Sequence, residues 1–189
     1  MEHIKFIDYH IQSSKAKDID PANDCLKYVS DRFELNIEQR YWLAFLFATC
    51  YCATTVYYIY NEFPDYENVD VDRLQRWWDK NKHKLIFQTD RLRVKTQNRF
   101  VECFISYKKL LNGLSQEKFF ASLKQPTRQM TYDNVYTATE NIKNFGRFTL
   151  FIYLEMVNVL TDYPLEPTIL NLKEAESCRN GLVYYLDKP

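Results

Sequence analysis

Two of this chain's three glycines lie beside arginines, and that pairing is its most suggestive chemistry. Gly146 precedes Arg147 in Asn144-Phe145-Gly146-Arg147-Phe148, and Gly181 closes Glu176-Ser177-Cys178-Arg179-Asn180-Gly181. A guanidinium presents a rigid fork of donors that matches phosphate or carboxylate. Glycine lets backbone bend or lets another group come close. A glycine just before a helix leaves N–H groups at the dipole-positive end, so Gly146 and Arg147 make a workable site for phosphate, pyrophosphate or carboxylate. A helix-starting glycine beside a surface arginine would give the same pattern.

Three carboxylates accompany these arginines. Glu155 follows Arg147 on the stripe Arg147, Phe151, Glu155, about 12 Å along a helix. Its apolar neighbours Phe148, Phe151, Ile152 and Val159 predict that it points inward. A buried acid needs a partner or carries a raised pKa, so Glu155 is either a proton acceptor or half of a structural ion pair with an arginine such as Arg179. Glu176, Arg179, Asn180 and Val183 share one side of a C-terminal helix, with Ala175, Cys178, Leu182 and Tyr185 on the other. Glu176 and Arg179 could pair with each other at the surface instead. Gly181 costs about 1 kcal/mol relative to Ala inside a helix, which predicts close approach of another backbone or a ligand there. Asp90-Arg91 lies in a non-helical stretch, where sites concentrate.

Arg91 also belongs to a basic segment. From Arg73 to Arg99 there are nine Lys/Arg against Asp79 and Asp90, whereas Glu62 to Asp72 carries five acids and no base. Arg93, Lys95 and Arg99 are therefore candidates for contacts to DNA phosphates. A solvated helix face with a loop is the alternative.

The 189 residues suit one domain with a real core. Aromatics are 16% of the chain, with 15 Tyr and 13 Phe, so disorder does not describe it. Net charge is zero and the pI is about 6.8, which gives no global argument for nucleic acid. The N-terminus lacks a signal peptide. The five cysteines form no CxxC pair and read as reduced, mostly packed thiols. Cys178 reads as packing too, although its arginine neighbour leaves a covalent role open. Three scattered histidines argue against a metal site. Tyr41 to Tyr60 is the longest apolar run, but its threonines and tyrosines favour a buried helix over a membrane span.

The positioning elements are helices, seven or eight in one all-α domain spanning 21–189, after a loosely structured segment 1–20. Pro21 opens the first. Asn36 with Gln39 forms a capping box for one long helix, Ile37 to Glu62. Asp70 or Asp72 starts the next, which runs to about Lys84. Residues 86–97 read as a loop or short extended segment. A helix from Asn98 to Leu111 stops at Asn112-Gly113. Ser115 caps a short helix ended by Pro126, and Thr131 starts another through Ile142. After the break at 144–146 a helix continues to about Leu160. Asn171 with Glu174 caps the last, Leu172 to Leu186.

Phe87-Gln-Thr-Asp-Arg91, Ser106-Tyr-Lys-Lys-Leu110, Phe145-Gly-Arg-Phe148 with Tyr153-Leu-Glu155, Pro167-Thr168 and above all Ala175-Glu-Ser-Cys-Arg-Asn-Gly-Leu182 resemble the phage amino acid:DNA transferase family. That group is also described among the α-glutamyl/putrescinyl thymine pyrophosphorylases. The resemblance covers roughly residues 40 to 186, and the final octapeptide is its specific part. It implies an all-helical enzyme of thymine hypermodification, distantly related to helical DNA glycosylases and working in the cytoplasm of an infected bacterium. The implied substrate is 5-(pyrophosphoryloxymethyl)uracil in phage DNA, whose pyrophosphate is replaced by a free amino acid or polyamine. In that chemistry Arg91, Arg147 and Arg179 hold the departing pyrophosphate beside Gly146. Glu155, Glu176 or Asp90 accepts the proton of the incoming ammonium, and Asn180 orients the uracil or the amino acid. If the base is flipped out, the Tyr and Phe surplus offers stacking surfaces. No redox or nucleotide cofactor is required, and a divalent cation on the pyrophosphate has no visible ligand set. The alternatives are a non-catalytic DNA-binding or partner subunit of a modification complex, and a base-excising glycosylase.

Overall fold

The computed structural model describes residues 8, 11–13, 15, 21–88, 91–168, 173 and 176–186. Among them, besides helical residues at 8, 11–13 and 15 in the segment expected to be loosely structured, ten α-helices with both ends described and one 3-10 turn occur, with no strand: α1 Pro21–Arg32, α2 Ile37–Cys50, α3 Ala53–Glu62, α4 Val71–Asn81, the turn Lys82–Lys84, α5 Leu92–Thr96, α6 Arg99–Leu111, α7 Gln116–Leu123, α8 Arg128–Thr139, α9 Arg147–Thr161 and α10 Glu176–Leu186. The all-α expectation holds, with a count above seven or eight. The expected Asn171–Glu174 cap lies outside the described residues, as do most of residues 1–20.

The axis of the fold is α2, buried at every residue from Tyr41 to Cys50. Its start is fixed as the sequence predicts, with Asn36 Oδ1 accepting from Gln39 N at 3.0 Å and Gln39 Oε1 accepting from Asn36 N at 2.9 Å. Against α2 packs α9, which buries Leu150, Tyr153, Leu154, Met156, Val157 and Leu160. Aromatic stacking fills the space around the pair. Phe45 lies 4.4 Å from Tyr107, Tyr41 lies 4.5 Å from Phe120, and Phe145 lies 5.6 Å from Phe45. Burial of each such ring contributes about 1.5–3 kcal/mol. Arg40 joins α1, α2 and the end of α9, donating to Asp31 and to the Ser30, Leu35 and Leu160 carbonyls.

Three expected boundaries are corrected. The long helix Ile37 to Glu62 is broken, because Tyr51 adopts φ 50° and Cys52 is extended. No glycine or proline marks this break. It is held by tertiary contacts, including Arg91 Nε donating to the Ala48 carbonyl at 3.1 Å near the C-terminus of α2. Residues 92–96, expected to be extended or loop, form the short helix α5. The helix expected from Thr131 begins at Arg128, capped by the Thr127 hydroxyl, which accepts from Met130 N at 3.1 Å. The other local signals hold. Asp70 caps α4, Ser115 caps α7, and Asn112 (φ 46°) with Gly113 (φ 81°) ends α6 in the left-handed region.

Candidate active site

The basic stretch around α5 and the glycine break before α9 are about fifty residues apart in sequence and meet in space. Between them is a cleft of about 520 Å³, lined by Arg91, Arg93, Val94, Arg99, Asn144, Gly146, Arg147, Phe148 and Thr149. Four arginines converge there, and no carboxylate is among the described lining residues. Such a volume falls in the usual range for ligand clefts, about 300–1,000 Å³. The four guanidinium groups make a positive field that draws a polyanion, with Glu102 of α6 near enough to feel the charge of Arg99.

Local structure explains why the α9 end of the cleft is available. Gly146 is the N-cap of α9, with φ −81°, ψ 172° and no side-chain cap. Having no side chain, it cannot fold over the first N–H groups of the helix, which carry its positive dipole end. Glycine is not required by the backbone here, since that φ is open to any residue, and an added Cβ would meet no described atom within 4 Å. The loop before it is pinned from α6. Ser106 Oγ accepts from Lys143 N at 2.9 Å, and Glu102 Oε2 accepts from Asn144 Nδ2 at 3.1 Å while Asn144 holds φ 65°. That hydrogen bond first, then Lys143, holds the Glu102 carboxyl below its usual value.

The four arginines are not equivalent. Arg91 is only 7% exposed, anchored on the Ala48 carbonyl, with its guanidinium carbon 5.3 Å from the centre of the Phe148 ring. Arg93 is exposed on α5, whereas Arg99 and Arg147 are half-buried at the starts of α6 and α9. Arg147 is also felt by Tyr132 of α8, whose hydroxyl burial pushes up to about 12 against the pull of that charge.

Of the residues expected to act, Arg91, Arg93, Arg99, Gly146 and Arg147 are therefore brought together. Lys95 is not, because it turns away and donates from Nζ to the Leu85 carbonyl at 2.6 Å. Glu155 is half-buried two turns along α9 and does not line the cleft. Its stripe is less internal than expected, since Phe148 and Phe151 are exposed and the opposite face of α9 meets α2. Glu176, Arg179 and Asn180 are exposed on α10 and are not part of the cleft lining. Arg179 donates to the Lys173 carbonyl at 3.1 Å. Around Gly181 no described atom lies within 4 Å of an added Cβ, so the expected approach of another backbone is not found. Asp90 and the side chain of Cys178 lie outside the described residues. Among the described residues, no three His, Cys, Asp or Glu side chains group to hold a metal, and no helix is long and apolar enough to cross a membrane.

Sequence reasoning missed Phe148 as a cleft residue because an aromatic beside Ile152 reads as core. It also missed Asn144 and Thr149. The signal for Asn144 was present in the Asn-Phe-Gly break, where asparagine tolerates the left-handed conformation. The Ser106-Leu110 motif, in turn, is structural. Besides Ser106, Tyr107 sits in a buried chain in which Tyr153 donates to Tyr107 (2.9 Å) and Tyr107 to Gln116 Oε1 (2.8 Å).

A family model described as amino acid:DNA transferase matches residues 14–188. A serinyltransferase of Salmonella phage ViI is 28% identical over 157 residues, which cover 78% of this chain and 38% of that protein. The chain thus spans well under half the length of the curated relative it matches. No solved structure matches it.

Proposed function

The chain belongs to the amino acid:DNA transferase family, and on that premise we propose that it transfers an amine to a pyrophosphorylated thymine base in DNA. The observation that carries this reading is the convergence of Arg91, Arg93, Arg99 and Arg147 on one cleft at the start of α9. In the proposed reaction the amine nitrogen attacks the C5 methylene of 5-(pyrophosphoryloxymethyl)uracil. A C–N bond forms, the C–O bond breaks, and pyrophosphate leaves with the electron pair. The arginines and the first N–H groups of α9 stabilise the charge that develops on the leaving group.

The amine must first lose a proton. We assign that proton to Asp90, which adjoins Arg91 in the chain, with Glu155 as the alternative acceptor on the helix of Arg147. Arg179, Asn180 and Glu176 on α10 are proposed to bind the amino acid. Their exposure suits a mobile substrate better than a base held in the cleft. The proposed setting is the infected host cell, with phage DNA and a free amino acid as partners.

Incubating the protein with DNA carrying the pyrophosphorylated base and mixed amino acids, then digesting it to nucleosides for mass spectrometry, tests this. An amine adduct with equimolar pyrophosphate release is expected, lost in Arg147→Ala and reduced in Asp90→Asn. Binding of that DNA without any adduct, with polyamines also supplied, would leave a non-catalytic binding subunit. Free base or abasic sites would make it a glycosylase.

A further inference from the structure

We propose that Phe148 is the platform on which a nucleobase stacks within the arginine cleft, an inference resting on the reading of that cleft as the DNA-facing site. The ring lines the cleft and is 45% exposed, while Thr149 and Leu150 next to it in α9 are buried. An exposed aromatic among phosphate-seeking arginines is the pairing that single-stranded or extruded nucleotides use, with charge tracking the backbone and a π-face taking the base.

Two neighbours contact this ring. The Arg91 guanidinium lies 5.3 Å from its centre and is itself fixed by the Ala48 carbonyl. The Tyr51 ring stands edge-on, 6.0 Å away at 87°. Tyr51 reaches that place through a left-handed backbone conformation (φ 50°) that ordinary residues avoid. The helix break at Tyr51 and the buried Arg91 thus converge on one aromatic side chain. A ring already in contact with neighbours loses less freedom when a second ring stacks on it. Stacking also leaves the edges of a base open. A substituent at C5 lies in the plane of the uracil, so a base on Phe148 would extend it sideways, towards the guanidinium groups of Arg93, Arg99 and Arg147.

The test uses oligonucleotides with 5-iodouracil at the target position, bound to the protein and irradiated, with the crosslinked peptide sequenced by mass spectrometry. A crosslink at Phe148 is expected in the wild type. Phe148→Leu, which keeps apolar volume, should abolish it and weaken binding roughly 5- to 150-fold, the range for loss of one base–aromatic stack. Phe148→Tyr should restore both, and unchanged circular dichroism would show that the leucine variant is folded. Tight DNA binding with crosslinks elsewhere and an unaffected Phe148→Leu would overturn this proposal alone. No binding of DNA by the wild type would instead overturn the reading of the cleft on which it rests.

Discussion

Replacing Arg147 by alanine removes one of the four guanidinium groups lining the cleft, and its effect on DNA binding can be worked out in advance. Each neutralised phosphate contributes a slope of about −0.9 to log K against log salt on duplex DNA and about −0.7 on single strands. Arg91 is nearly buried on Ala48 and Phe148, so the other three arginines, one phosphate each, give a slope of roughly −2.7 or −2.1, and Arg147→Ala should lower its magnitude to about 1.8 or 1.4. A charge-assisted hydrogen bond contributes about 1.5–3 kcal/mol, so affinity at fixed salt should fall roughly 10- to 150-fold. Fluorescence anisotropy of a labelled oligonucleotide across a salt series reads both quantities. Arg147→Lys should keep the slope, because the charge stays, and lose part of the affinity, because the fork is gone. The internal control is Lys95→Ala. That lysine has the same charge and lies four residues from Arg91 in the chain, but its ammonium is bonded to the Leu85 carbonyl and it does not line the cleft. Its removal should leave the slope unchanged. Equal slopes for Arg147→Ala and wild type, or an equal drop for Lys95→Ala, would refute the assignment of the cleft.

Two further outcomes probe what holds the cleft in place. Gln116 is fully buried, accepts from Tyr107 and donates from Nε2 to Glu38 Oε2 at 3.0 Å. Gln116→Leu should destabilise the fold by about 1–3 kcal/mol in thermal or urea melts, because it strands buried polar groups, and an unchanged midpoint would contradict the network. The Glu102 carboxyl, depressed by the Asn144 hydrogen bond and then by Lys143, gives a pH dependence. A depressed folded pKa means that its contribution is present above the unfolded value of about 4.3 and is lost as pH falls through the folded value. Glu102→Gln should therefore melt below wild type near neutral pH, with the gap closing in acid. A gap independent of pH would show that the charge of Glu102 has no part in it.

Local chemistry was legible in the residues. Asn36 with Gln39, Asp70, Ser115 and Asn112-Gly113 mark helix ends where expected, because a cap is settled by side chains within three or four positions of the backbone it satisfies. The break at Gly146 and the basic character of 91–99 were legible for the same reason. The break at Tyr51 was not. An αL tyrosine is disfavoured locally, and what surrounds it there, the Arg91 contact to Ala48 and the Phe148 ring, comes from 40 and 97 positions further along the chain.

The same distinction divides the candidate site. Sequence alone determined that this is an all-α chain with arginines beside helix starts, since periodicity, capping and charge are written in neighbouring residues. Sequence pointed more strongly to Arg179, in the specific octapeptide, than to Arg147. The tertiary structure alone brings Arg147 together with Arg91, Arg93 and Arg99, and leaves Arg179 on an exposed helix outside the cleft lining. The packing of α9 along α2 aims the start of α9 at α5, and no spacing within either helix specifies that meeting.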